Sequence, residues 1–260
     1  MSIPENGYPR AAAVSPRLHI APSVDSTNKK LLTDAFDDPE GHPHLSVVVT
    51  RDQTAGRGRL DRTWVTPPDS ALAVSVLLRV DAVPVAERGW IPLVAGAAMT
   101  SAVRAQLGDR EVGLKWPNDV LVGGLKICGI LAEVMPGDPH TVVVGAGVNT
   151  RMTAAQLPVP TATSFAALAL TADEDQLLGD YLTGLRDAIA ALAVGGTTAD
   201  AAKDEVRELC LTVGAQVSVS LPDDSTLIGV ASGIDEDGRL TVEAAGVVHA
   251  VSAGDVVHVR

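Results

Sequence analysis

The pattern of this chain changes once, near Leu211, and any fold proposed for it must accommodate that change. Beyond this point Val217, Val219 and Leu221 alternate with serines, which puts the apolar residues on one face of a strand. Pro222-Asp223-Asp224-Ser225 then turns the chain, residues 227–234 read as a second strand, and Asp235-Glu236-Asp237-Gly238 turns it again. Leu240 and Val242, then Val247 and Val248, then Val256, Val257 and Val259 supply the rest. Short strands with turn signals every 8–12 residues or so predict a small β-barrel or sandwich over 211–260. A unit of only about 48 residues is marginal alone, so it is expected to pack on what precedes it.

Residues 18–210 mix helical and strand periodicities. A first helix is expected to start at Asp25 or Ser26, both good N-caps, and to run through Leu31, Leu32, Ala35 and Phe36. Residues 45–50 and 72–80 read as strands. Leu93, Ala97, Ala98, Ala102 and Leu107 share one face of a helix over 86–107. Gly123-Gly124 lies between two apolar runs, a two-residue hairpin signal, because primed turns need positive φ. Thr141 to Val144 is a further strand closing on Gly145-Ala146-Gly147. A stripe from Leu178 to Leu192 is helical, and Thr198 is placed as the cap of a last helix ending near Cys210. Residues 1–17 carry Pro4, Pro9 and Pro16 and no apolar h-region, so they read as a flexible tail and not as a secretory signal.

Composition narrows the function. The net charge is −12, which disfavours nucleic acid and anionic membrane surfaces as partners. No apolar run reaches the roughly 18–20 residues of a membrane span. Cys128 and Cys210 form no CxxC pair and read as buried thiols of a reducing, cytoplasmic compartment. There is no P-loop, H-E-x-x-H or G-x-S-x-G sequence. Gly56-Arg57-Gly58 and Gly145-Ala146-Gly147 each begin like a dinucleotide fingerprint, but both lack its final small residue.

Against this acidic background, Arg51, Arg57, Arg59 and Arg62 fall within twelve residues, interleaved with Gly56 and Gly58. Arginine offers a planar fork to phosphate or carboxylate oxygens, and glycine lets backbone come close to a ligand. The segment is either a basic solvated turn or a polyphosphate site built without a P-loop. Lys126 sits among Leu125, Ile127, Cys128 and Ile130, where an uncompensated ammonium is costly. It must snorkel, pair with a carboxylate or bind an anion. Asn118-Asp119 suits turn chemistry after Pro117. Asp25-Ser26-Thr27-Asn28 exceeds what capping requires, and its small polar side chains could line a pocket for a ligand with amide-like groups.

Taken in order, these segments resemble biotin protein ligases. The resemblance rests on Asp25-Ser26-Thr27-Asn28, then Asp52-Gln53-Thr54-Ala55-Gly56-Arg57-Gly58-Arg59 with Trp64 following, then Lys115-Trp116-Pro117-Asn118-Asp119. It continues through residues 126–133 (Lys126 to Glu133) and Gly145-Ala146-Gly147-Val148-Asn149. Any one motif is weak; five in register over most of the chain are specific. The family implies an α/β catalytic domain over 18–210, its mixed sheet and helices similar to class II aminoacyl-tRNA synthetases, and an SH3-like barrel over 211–260. Where the family loop usually carries a third glycine, this chain has Asp61. Some relatives carry an N-terminal DNA-binding domain, which seventeen proline-bearing residues cannot build.

The resemblance implies ATP with Mg²⁺ and biotin as substrates, biotinyl-5′-AMP as intermediate, and a biotin carboxyl carrier domain of acyl-CoA carboxylases as acceptor. It places Ser26, Thr27, Asn28 and Gln53 on the ureido ring. Gly56, Arg57, Gly58, Arg59 and Lys126 are placed around the carboxylate and phosphates, with Gly129 leaving room for ligand. Arg57, Arg59 and Lys126 are the expected catalytic residues. Arg59, Arg62, Trp64, Asn118, Asp119 and Asn149 are placed toward the nucleotide, and Asp119 is the candidate Mg²⁺ ligand. A lipoate or octanoate ligase on the same fold is the near alternative, although a lipoyl chain asks for a less polar pocket. A biotin-sensing regulator is the second.

Overall fold

The Gly123-Gly124 signal marks a tight turn near one edge of a seven-stranded mixed sheet, and both glycines hold positive φ. The computed structural model describes residues 7–60, 62–64, 66–221, 225–252 and 254–259. The chain enters through a short helix α1 (Pro9–Val14) and strand β1 (Leu18–Ile20), then α2 (Thr27–Asp37) and β2 (Val47–Thr50). A small hairpin, β3 (Gly56–Arg57) and β4 (Thr63–Trp64), precedes β5 (Leu72–Arg79). A 3₁₀ turn over Val85–Trp90 leads into α3 (Ile91–Arg104), followed by β6 (Val112–Lys115), β7 (Asp119–Val122), β8 (Leu125–Met135) and β9 (Asp138–Val148). Helices α4 (Glu174–Val194) and α5 (Gly196–Leu209) complete this part. The strand order is β1-β2-β5-β9-β8-β7-β6, antiparallel except for the β1–β2 pair.

Alternation along the strands assigns the two faces. Val48, Leu77 and Val143 meet Leu31 and Ala35 of α2 on one side. Val47, Val49, Val74, Val76 and Val144 join the large core built with α3 and α4 on the other. A sheet covered on both faces requires near-continuous apolar strands, and β5 is buried from Leu72 to Leu78.

From Gln216 on, β10 (Gln216–Ser220), β11 (Thr226–Ile234), β12 (Leu240–Ala244), β13 (Val247–Val251) and β14 (Asp255–His258) form an antiparallel sheet in the order β13-β12-β11-β10-β14. Among the described residues no ladder joins β13 to β14, so the pairing forms one row and not a closed ring. Val217, Val219, Ala231, Leu240 and Val242 belong to the same core as the larger sheet. Two tryptophans fasten the junction: Trp90 Nε1 donates to the Glu236 carbonyl at 2.7 Å and Trp116 Nε1 to the Gly238 carbonyl at 3.1 Å.

Three expectations need correction. From Gly7 onward the N-terminal segment is no loose tail: Tyr8 and Ala11 are buried, α1 packs on α4, and the Tyr8 hydroxyl lies 3.4 Å from Glu174. Proline at N1 begins a helix as readily as it blocks one, which is why the prolines misled. Thr198 does not cap α5; the chain reverses at Gly195, which has positive φ. Gly145-Ala146-Gly147 does not end its strand but lies inside β9, where the missing side chains have a use described below.

Candidate active site

Ser26 ends the extended segment after β1, and its hydroxyl accepts from Lys29 N–H, so α2 starts there and points its first turn at the sheet. Thr27 donates through both its backbone N–H (2.8 Å) and its hydroxyl (3.1 Å) to Gln53 Oε1. Asn28 donates Nδ2–H to the Leu131 carbonyl at 3.1 Å and to Glu133 Oε2 at 2.8 Å. Ser75, in the middle of β5, donates to Asn28 Oδ1 at 2.5 Å. This buried polar cluster stands on bare backbone. A Cβ built on Gly145 overlaps Asn28 Oδ1, and one on Gly147 lies 2.7 Å from Trp64 Cζ2. Gly56 plays the same part for the Gln53 amide.

Cations line the same cavity. The short β3–β4 hairpin carries Arg57, Arg59 and Arg62, and Gly58 N–H closes it onto the Arg62 carbonyl at 2.6 Å. Arg57 Nη2 donates to Glu133 Oε2 at 2.9 Å. Arg59 donates to Asn118 Oδ1 at 3.2 Å and reaches the Gly254 carbonyl at 3.5 Å. Arg62 grips Asp255 through both terminal guanidinium nitrogens, Nη1 and Nη2. Lys126 pairs with Asp119 at 2.6 Å, so of the three outcomes open to it the carboxylate pair is realised. Each site cation thus already holds a protein oxygen.

Electrostatics follow from this packing. The hydrogen bond from Arg62 holds the Asp255 carboxyl below the usual carboxylate range. Burial pulls Arg59 and Lys115 below their ordinary values, with Asp119 and Asp255 acting against it. Burial pushes the Cys128 thiol far up, so it stays protonated and inert.

Ser26, Thr27, Asn28, Gln53, Arg57, Gly58, Arg59, Arg62, Trp64, Asn118, Asp119, Lys126 and Gly129 all line this one cavity. Two predicted residues do not. Gly56 lies behind Gln53. Asn149 is buried outside the lining and donates to the Thr163 carbonyl at 2.9 Å. Gly129 lines the cavity, and its missing side chain also leaves space for Lys126, since a Cβ there would sit 3.1 Å from Lys126 Nζ. Asp61 lies outside the described residues. Sequence reasoning missed Ser75, the roles of Gly145 and Gly147, the bridging position of Glu133, and Asp255. Glu133 stood inside a quoted motif, but Asp255 is 193 residues from Arg62 and leaves no local signal.

Residues 20–149 match the biotin/lipoate A/B protein ligase family, and residues 212–259 match the biotin protein ligase C-terminal domain. The chain is 37% identical to the biotin–[acetyl-CoA-carboxylase] ligase of Mycobacterium tuberculosis, over 94% of this chain and 90% of that protein. The chain belongs to the biotin/lipoate A/B protein ligase family. It is also 28% identical to the bifunctional ligase/repressor BirA of Escherichia coli, over 91% of this chain and 72% of that one. Among solved structures, biotin protein ligase from Aquifex aeolicus in complex with biotin and ATP matches with a TM-score of 0.76, at 22% identity, covering 94% of this chain and 99% of the other. That likeness concerns the fold, and it agrees with the mixed sheet and helices expected here; the C-terminal unit, expected as an SH3-like barrel, is an antiparallel sheet with no closed ring among the described residues.

Proposed function

We propose that the protein is an ATP-dependent biotin protein ligase. It condenses biotin with ATP to biotinyl-5′-AMP and passes the biotinyl group to a lysine of a biotin carboxyl carrier domain, in the cytoplasm. The observation that carries this reading is one cavity lined both by hydrogen-bonding amide and hydroxyl groups and by four cations. In this reading residues 18–210 are the catalytic domain, and 211–260 lend it Gly254 and Asp255.

Two anions must meet for the first step, a carboxylate and a triphosphate, and fixed positive charge offsets their repulsion. Lys126 exchanges Asp119 for the acid's carboxylate and the α-phosphate oxygens. Arg57 and Arg59 hold the same oxygens from the hairpin, with Arg62 toward the β- and γ-phosphates. One carboxylate oxygen attacks the α-phosphorus, and the bond to pyrophosphate breaks. The acceptor amine then attacks the acyl carbon, loses a proton, and AMP leaves. Thr27, Gln53 and the Asn28 cluster orient the ureido ring, while Trp64 and Asn118 face the nucleotide. A lipoyl chain asks for an apolar pocket, and the hydroxyl and amide lining from Ser26, Thr27, Asn28 and Gln53 suits a ureido ring better. Among the described residues no group of three or more His, Cys, Asp or Glu is placed to hold a metal. Asp119 nevertheless fits Mg²⁺ arriving on the triphosphate, since such sites use one or two carboxylates plus phosphate oxygens. The ion would neutralise developing phosphate charge.

ATP–pyrophosphate exchange with and without biotin tests the reading. Exchange is expected only with biotin, and Lys126→Gln should slow it by about 10²–10³-fold, the usual loss of one preorganised donor. Exchange supported by lipoate in place of biotin, or a wild-type rate for Lys126→Gln, would overturn it.

A further inference from the structure

Gly129, Leu131 and Glu133 alternate along β8 and lie on the same face of the sheet, the face that carries the cavity. Leu131 offers Asn28 a backbone carbonyl, and Glu133 offers it a carboxylate. The carboxylate oxygen that accepts from Asn28 at 2.8 Å is the one that accepts from Arg57 at 2.9 Å. The Asn28 amide and the Arg57 guanidinium are therefore joined through a single atom, Glu133 Oε2.

We infer that Glu133 is a positioning residue for the adenylation step, holding the Arg57 guanidinium toward the cavity while itself aligned by the Asn28 amide. The inference rests on the function proposed above. Arg57 has a long, half-exposed side chain on a two-residue strand, and without an anchor its rotamers would spread into solvent. A carboxylate holds a guanidinium more firmly than a neutral acceptor does, because Coulomb attraction between opposite charges adds to the hydrogen bond. The side chain of Glu133 is 24% exposed, sheltered enough to be directed by its neighbours. Its direction comes from Asn28, whose own position is fixed by the Leu131 carbonyl and Ser75. The chain of restraint thus runs from the centre of β5 to the loop that must meet the phosphates. It aligns the cation before substrates arrive, which is the preorganised placement that lowers a barrier.

The test is Glu133→Gln, which keeps shape and removes charge. Biotin-dependent pyrophosphate exchange should slow about tenfold, the loss of one hydrogen bond between charged groups. KM for ATP should rise, while biotin affinity stays within about twofold, because Ser75 and Leu131 still hold Asn28. A residue that merely supported the strand would instead lower the urea midpoint and weaken biotin binding in step with activity. A cycle with Arg57→Ala is the sharper readout. If Glu133 acts through Arg57, the double variant is no slower than Arg57→Ala alone. Losses that multiply, or an unchanged rate in Glu133→Gln, would overturn the inference and leave the ligase reading intact. Absence of biotin-dependent exchange in the unaltered protein would remove both.

Discussion

Replacing Gly145 by alanine adds one carbon at the point where fold and site depend on each other. The new Cβ would lie 2.9 Å from Asn28 Cγ and 3.0 Å from Nδ2, and would overlap Oδ1. Real Cβ atoms stay well beyond 3 Å from such atoms, so the Asn28 side chain must retreat by about 1 Å, as a close-packed interior allows no other relief. From starting distances of 2.5, 2.8 and 3.1 Å, that retreat stretches all three hydrogen bonds of the amide. At about 0.5–1.5 kcal/mol net for each bond, the loss is roughly 1.5–4.5 kcal/mol. Removing a glycine from the unfolded chain returns about 0.4–1 kcal/mol. The expected net cost is about 0.5–4 kcal/mol, with biotin affinity reduced as well, because the amide cluster that faces the cavity is displaced. Urea unfolding with and without biotin measures both quantities. A wild-type midpoint together with wild-type biotin affinity would refute the argument that β9 is bare in order to seat Asn28.

Two further outcomes follow from buried charge. Glu174 is only 4% exposed and accepts from Arg51 Nε (2.9 Å), Arg151 Nε (3.0 Å) and Thr150 Oγ (3.0 Å) at the start of α4. Glu174→Gln removes the charge that balances a buried guanidinium and should destabilise by about 3–5 kcal/mol in urea melts; a cost below about 1 kcal/mol would show the pair to be idle. His258 is held below its ordinary value of 6.5 by burial and by Lys115, and its Nε2 lies 3.1 Å from the Thr212 hydroxyl, which already accepts from Trp116 N–H. That hydroxyl's proton is free for a neutral imidazole. The unfolded chain therefore binds the proton more readily, so the stability from His258 is complete above pH ~6.5 and declines as pH falls below it. His258→Gln should flatten this acid-side slope in thermal melts recorded from pH 7.5 to 5; an unchanged slope would exclude His258 as its source.

Much of this was legible in the sequence wherever structure is local. Alternation gave the strands of the C-terminal sheet, Gly123-Gly124 gave the hairpin, and the residue types at Ser26 to Asn28 gave both a cap and a pocket wall. The arginine cluster and Lys126 stood out because charge is conspicuous in an acidic chain. What stayed hidden was pairing at a distance. Nothing around Asp255 marks it as a partner for Arg62, and Ser75 reads only as a small residue in an apolar strand. Tyr8 shows the same limit, since its burial depends on α4, far along the chain. Gly145 and Gly147 looked like a strand end because their surroundings, Asn28 and Trp64, come from elsewhere in the fold.

Those two glycines carry a consequence for what acids the protein can accept. Asn28 and Trp64 rest two positions apart on one strand with no side-chain layer beneath them. Behind these two side chains the wall is main chain, tied to ladders on both flanks of β9, so nothing on β9 at these positions can be trimmed to enlarge the cavity. Any drift toward longer or bulkier acids must therefore come from side chains that other elements bring to the cavity, and not from the strand beneath them.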